Sequence, residues 1–156
     1  YIGREEKKTE KEPLKIFGEV KGNGIVESTK ININAVCTRV PVVDGHIAVV
    51  HIGFVEIVPT IDEFKSIMSS FIAEPQLLHL PSAPKIPIVV LNEIDRPQPK
   101  LDRDVGNGMT VTVGRITEDT FFNIRFVGLS HNTVRGAAGG AILMAELLVQ
   151  KGFIHV

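Results

Sequence analysis

The chain has 156 residues, enough for about one domain with a sizeable core. Its 17 Lys and Arg stand against 18 Asp and Glu, a balance that points to neither nucleic acid nor a membrane as partner. The single cysteine, Cys37, excludes an internal disulfide and fits a reducing cytoplasm, and no apolar run reaches the roughly 18 residues of a membrane span. The chain opens at Tyr1 without a methionine or a signal-peptide pattern and reads as a piece of something longer.

Taken in chain order, Glu5 to Lys15 is dense in Glu and Lys at helical spacing, with Gly18 as its stop. Pro13 should kink that helix or split it near Glu12. Ile31 to Val42 is mostly β-branched or apolar and predicts a strand. After an Asp44-Gly45 turn, His46 to Val58 predicts a second long strand. Thr60-Ile-Asp-Glu63 has the capping-box pattern, and Ile61, Phe64, Ile67, Met68 and Phe71 then recur at helical period. Ile86 to Leu91 predicts a short strand between proline-rich loops, and Met109 to Ile116 with Phe121 to Leu129 predicts a hairpin. Thr133 to Lys151 predicts a helix closed by Gly152. Between Ala137 and Val149 that helix is apolar all round except for Glu146, so a second domain or subunit is expected to cover the face its own sheet leaves open. Four to six strands and three helices, joined by hairpins and not by βαβ units, argue for one α+β domain with a sheet covered by helices.

Two segments could carry chemistry. Arg39-Val-Pro-Val-Val-Asp-Gly-His46 sets a guanidinium on a strand and an imidazole just past a tight turn. Arginine offers a planar fork to a carboxylate or phosphate, and histidine moves protons near neutral pH. A surface ion-pair partner and a structural histidine would give the same spacing. In Ser130-His-Asn-Thr-Val-Arg-Gly-Ala-Ala-Gly-Gly140 a strand hands over to a helix. Asn132 and the helix N-terminal N–H groups could bind an amide or anion, while Gly136 and Gly140, four apart, equally suit close helix packing. The glycines lie inside the helix, so this is no dinucleotide-binding fingerprint.

Both segments resemble the aspartate-semialdehyde dehydrogenases, especially their archaeal and fungal branch. Cys37-Thr-Arg-Val-Pro-Val-Val-Asp-Gly-His46, Arg96-Pro-Gln-Pro-Lys-Leu-Asp-Arg103, Gly108-Met-Thr-Val-Thr-Val-Gly-Arg115 and Ser130 to Gly140 occur in the family's order. The opening Glu5-to-Ile16 segment is similar to its glutamate-rich helix. The resemblance implies a mixed sheet covered by helices, of the glyceraldehyde-3-phosphate-dehydrogenase-like C-terminal catalytic type, making a homodimer or homotetramer. It also implies reversible reduction of aspartyl phosphate to aspartate semialdehyde with NADP as cofactor and release of phosphate, and no metal. A cysteine thiolate in an Asn-Cys-Ser/Thr segment forms the thioester, and that segment and the cofactor domain are expected ahead of the region matched here.

By the same resemblance His46 is the acid/base histidine and Arg39 the grip on the substrate carboxylate. Glu12 receives the substrate ammonium and Lys15 helps to hold phosphate, with Glu5 and Lys8 as competing candidates about two turns earlier. Asn132 meets the nicotinamide end of the cofactor. Cys37, without the nucleophile's surrounding motif, is expected to be a packed thiol on a strand. His51, His79, His131 and His155 are expected in solvent or packing positions. Relatives that reduce malonyl-CoA or succinyl-CoA on the same scaffold are the alternative, and a non-catalytic dimerisation module is a third reading.

Overall fold

A computed structural model describes residues 2–155. They form two compact units, divided between Pro41 and Val42.

In the first unit, helix α1 (Glu5–Ile16) starts on acidic Glu5 and Glu6 and ends on Lys15, the polarity its dipole favours. It runs unbroken through Pro13, against the expected split. The carbonyl that Pro13 leaves without an N–H partner belongs to exposed Thr9, where water can satisfy it. A small hairpin follows, β1 (Glu19–Lys21) against β2 (Gly24–Val26), with Gly22 at φ +58° in its turn. Sequence reasoning missed this pair, although Gly22-Asn23 is a two-residue signal for it. Residues 27–41 contain no strand, which corrects the expectation for Ile31 to Val42. Their backbone finds side-chain partners instead of a ladder. The Ala35 N–H donates to Glu10 Oε1 at 3.0 Å and the Cys37 N–H to Glu6 Oε1 at 3.1 Å. β-branched residues favour extended backbone, but a strand also needs a neighbouring strand. None of the described residues of this unit is buried.

The second unit is built on a four-stranded sheet of β3 (His46–Ile52), β4 (Ile88–Val90), β5 (Val111–Glu118) and β6 (Ile124–Ser130), in the order β3-β6-β5-β4. β3–β6 and β6–β5 are antiparallel and β5–β4 is parallel, so the sheet is mixed, as expected. The expected hairpin is β5–β6, with a bulge between Gly114 and Thr117 where Arg115 takes φ +54°. β3 ends well before Val58 because Asn123 closes it: its N–H donates to the Ile52 carbonyl at 2.8 Å and its Oδ1 accepts the Phe54 N–H at 2.7 Å.

Helix α2 (Ile61–Ser69) begins with the capping box read from the sequence. Thr60 Oγ1 accepts the Glu63 N–H, and the Glu63 carboxylate accepts the Thr60 N–H at 2.8 Å. Its Phe64 joins Val113, Ile116 and Ile124 in the main core, with Met68, Ile88, Val90 and Phe126 packed around them. Short helices α3 (Glu74–Leu77) and α4 (Pro99–Asp102) punctuate the connections. After β6 a five-residue π-helical turn (Val134–Ala138) leads into α5 (Gly139–Gln150), which Gly152 closes at φ +74°.

α5 packs Leu143 on Leu80 and Met109, forming a second cluster, and leaves Ile142 and Met144 each 55% exposed. The all-round apolar helix of the sequence therefore keeps one uncovered side in this chain. Glu146, its lone charge, accepts the Ser82 N–H at 2.9 Å and the Ser82 hydroxyl at 2.7 Å, tying down the 81–84 loop. A Cβ on Gly140 would sit 2.5 Å from the Arg135 carbonyl oxygen, so that glycine serves the wide turn, whereas one on Gly136 would meet only ordinary contact.

Candidate active site

The parts of the two chemistry-bearing segments that lie in the second unit, residues 44–46 and 130–133, meet at one end of the sheet. His46 opens β3 and lies opposite Ser130, the last residue of β6, in antiparallel register. Chain direction then brings Asp44-Gly45 beside Asn132-Thr133. The Gly45 N–H donates to Asn132 Oδ1 at 2.7 Å across 87 residues of sequence, and the Thr133 hydroxyl donates to Asp44 Oδ1 at 3.4 Å. Gly45 is buried and takes φ +116°, and a Cβ there would press on Leu129 and Pro99, each at 3.2 Å. Only glycine suits that position. His46 itself is exposed, so a rigid, backed turn presents an accessible imidazole.

Pro99, the wall of that turn, belongs to α4, and α4 is held by a charge cluster. Asp102, 1% exposed, accepts from Arg96 Nε at 2.7 Å, from Arg96 Nη2, and from the Gln98 N–H at 2.6 Å. The Arg96 hydrogen bond holds the Asp102 carboxyl below its usual range; burial opposes this and the Gln98 N–H adds to it. The Arg96 carbonyl comes so close to Gly114 that a Cβ there would be 2.4 Å away. The 96–103 motif is thus a buckle over β5. Sequence reasoning gave its Arg and Asp no role, although an aspartate six residues from an arginine in a proline-rich loop was the available signal.

In the first unit, Glu12 and Lys15 are exposed on α1. Glu12 lines an open groove of about 380 Å³ with Arg4, Lys7, Lys8 and Lys11. The competing pair is engaged with itself, since Lys8 Nζ lies 3.1 Å from Glu5 Oε1 and that contact raises the lysine's pKa. Glu6 and Glu10 face the other way, toward the backbone of residues 35–37. Arg39 is exposed in the irregular segment and not on a strand, a correction that follows from the missing ladder. Cys37 shares that segment, half-buried, with Sγ 3.8 Å from Thr9 Oγ1.

Among the other histidines, His131 is buried, and its Nδ1 accepts the Val134 N–H at 3.4 Å where the π turn begins. His51 pairs with Asp119 at 2.5 Å. Among the described residues no group of three or more His, Cys, Asp or Glu is placed to hold a metal, and no helix is long and apolar enough to cross a membrane.

A family model described as "Semialdehyde dehydrogenase, dimerisation domain" matches residues 1–135. The aspartate-semialdehyde dehydrogenase of Schizosaccharomyces pombe is 46% identical, covering 99% of this chain and 44% of its own length. The chain belongs to the semialdehyde dehydrogenase family. A crystal structure of aspartate-semialdehyde dehydrogenase with NADP from Candida albicans superposes with a TM-score of 0.90 at 42% identity, covering 99% of this chain and 44% of that one. The malonyl-CoA reductase (NADP) of Metallosphaera sedula is also similar, 46% identical over 94% of this chain and 42% of its own. The semialdehyde dehydrogenase chain thus spans less than half the length of these relatives. Its fold is of the expected class, the mixed α+β type of the C-terminal catalytic domain.

Proposed function

We propose that this chain is the catalytic and dimerisation domain of an NADP-dependent aspartate-semialdehyde dehydrogenase of the cytoplasm, working as a homodimer or homotetramer. The observation that carries the reading is identity of 46% across 99% of the chain to a relative of that name. In the reaction, a cysteine thiolate outside this chain adds to the aldehyde of aspartate semialdehyde. Loss of hydride leaves a thioester, and phosphate displaces the thiolate to give aspartyl phosphate. NADP, when bound, takes up that hydride.

The chain's own residues bind and move protons. His46 accepts the thiol proton, and its exposure at the head of β3 suits contact with a ligand. Arg39 holds the substrate carboxylate through its two-pronged guanidinium. Glu12 receives the ammonium and Lys15 steadies phosphate; both are exposed, while Glu5 and Lys8 neutralise each other. Asn132 fits the nicotinamide end of NADP. Its oxygen accepts from Gly45, which leaves its two N–H donors for a ligand, and a carboxamide oxygen is an acceptor.

The second reading is malonyl-CoA reduction, favoured by the similarity to the Metallosphaera enzyme. Arg39 and His46 serve both substrates, whereas an ammonium partner such as Glu12 serves only the amino acid. The test follows NADPH absorbance in a full-length enzyme containing this domain, with aspartate semialdehyde, phosphate and NADP in one cell and malonyl-CoA plus NADPH in another. NADPH should form in the first and remain unconsumed in the second. Turnover with malonyl-CoA alone reverses the assignment.

A further inference from the structure

We infer that Asn132 is a positioning residue for the His46 imidazole, acting through the backbone of Gly45; this rests on the reading of His46 as the proton-transfer group. The imidazole has no side-chain partner to orient it among the described residues, so its place is set by the backbone that carries it. That backbone is fixed on two sides. β3 pairing holds His46 against Ser130, and the amide immediately before it is held by Asn132 Oδ1 at 2.7 Å. Gly45 at φ +116° cannot rely on steric preference to stay put, because glycine visits many conformations freely. Leu129 and Pro99 wall the turn, and the Asn132 bond supplies the directional contact that chooses one conformation within those walls. Thr133 reinforces it on Asp44. The neighbouring residues 132 and 133 thus clamp the neighbouring residues 45 and 44. One amide then serves two purposes: its oxygen sets the acid/base residue, and its nitrogen remains for the cofactor.

A double-mutant cycle in the full-length enzyme tests this, with Asn132→Ala, His46→Ala and the pair, all at saturating NADP. Misplacing a reacting group slightly costs on the order of 10²-fold at most, so Asn132→Ala should lower kcat about 10- to 100-fold in the wild-type background. In the His46→Ala background the same change should alter kcat by less than about twofold, because the group it positions is gone. A rise in KM for NADP should appear on both backgrounds. Equal factors in kcat on both backgrounds overturn the inference and leave Asn132 a cofactor contact only. Unchanged kcat in His46→Ala overturns the reading of His46, and the inference with it. If Asn132→Ala does not fold, Asn132→Asp decides. It keeps the acceptor for Gly45 and loses the N–H donors, so kcat at saturating NADP should stay within about threefold of wild type while KM for NADP rises. A kcat lowered beyond about tenfold with the acceptor in place counts against the inference.

Discussion

The two units of this chain solve the problem of presenting charge in opposite ways. The first has no buried residue among those described, and its long irregular segment is held to α1 by two glutamate side chains that accept backbone N–H groups. The second has an apolar core beneath a mixed sheet, and its polar clusters sit on top of that core. The proposed substrate-gripping residues, Glu12, Lys15 and Arg39, lie in the first unit, and the proposed proton-transfer residue lies in the second. Groups that hold a charged substrate need access to it and a charge or fork that matches it. A proton-transfer group also needs a fixed distance, which a backed turn such as Asp44-Gly45 supplies.

The largest effect expected from this contrast is at His46. His46→Ala in the full-length enzyme should lower kcat by about 10²–10⁴-fold, the usual cost of losing general acid/base help. KM should change little, and the melting temperature should hold, because the side chain is exposed. If kcat stays within about threefold of wild type, far below that range, the backed turn is structural and the imidazole idle.

Arg39→Lys comes next, keeping charge and removing the fork. A lost charge-assisted hydrogen bond of about 1.5–3 kcal/mol corresponds to a fall of roughly 10- to 150-fold in kcat/KM. A substrate analogue without the carboxylate should be nearly indifferent. Equal loss for both substrates, with a lowered melting temperature, would mean that Arg39 holds its unit together and not a ligand.

What the sequence made legible divides along the same line. In the second unit, most local signals agree with the tertiary structure: the Thr60–Glu63 box, the β5–β6 hairpin and the Gly152 stop appear where expected, though β3 ends at Ile52 and not at Val58. In the first unit, the strand expected from Ile31 to Val42 is absent, because β-branched residues report extended backbone and not the presence of a partner. The split expected at Pro13 is absent for a related reason, since water can meet the carbonyl it strands on an exposed helix. The meeting of Gly45 with Asn132 was invisible, because no local pattern encodes a contact across 87 residues. The Arg96–Asp102 buckle was visible as a motif but not as a buried aspartate held by a half-buried arginine.

That buckle gives the third prediction. Asp102→Asn keeps the shape, removes the charge, and leaves Arg96 without its counter-ion, so stability should fall by about 1.5–3 kcal/mol. Denaturant midpoints measure it. A neutral result would show that α4 and the wall behind Gly45 are held by apolar contacts alone.

The smallest effect is expected at Asp119, in the turn of the β5–β6 hairpin. Its Oδ1 accepts the Phe121 and Phe122 N–H groups at 2.9 and 3.0 Å, and its Oδ2 meets His51 at 2.5 Å. Those two backbone bonds are the main cause that draws its pKa from 3.8 to about 2; burial opposes them and His51 helps. A carboxyl depressed in the folded state binds protons more readily when unfolded, so it stabilises the fold above its ordinary value of 3.8. That contribution fades as the pH falls through about 2. An asparagine in its place would not titrate yet could still accept the two N–H bonds, so Asp119→Asn isolates the charge. The wild type should melt above the variant at neutral pH, and the gap should close as the pH falls from about 4 to about 2. A gap that stays constant over that range would mean that shape, not charge, secures the turn. Complete unfolding of the variant would overturn more, because it would make the second unit depend on its polar turns as the first does, and not on its core.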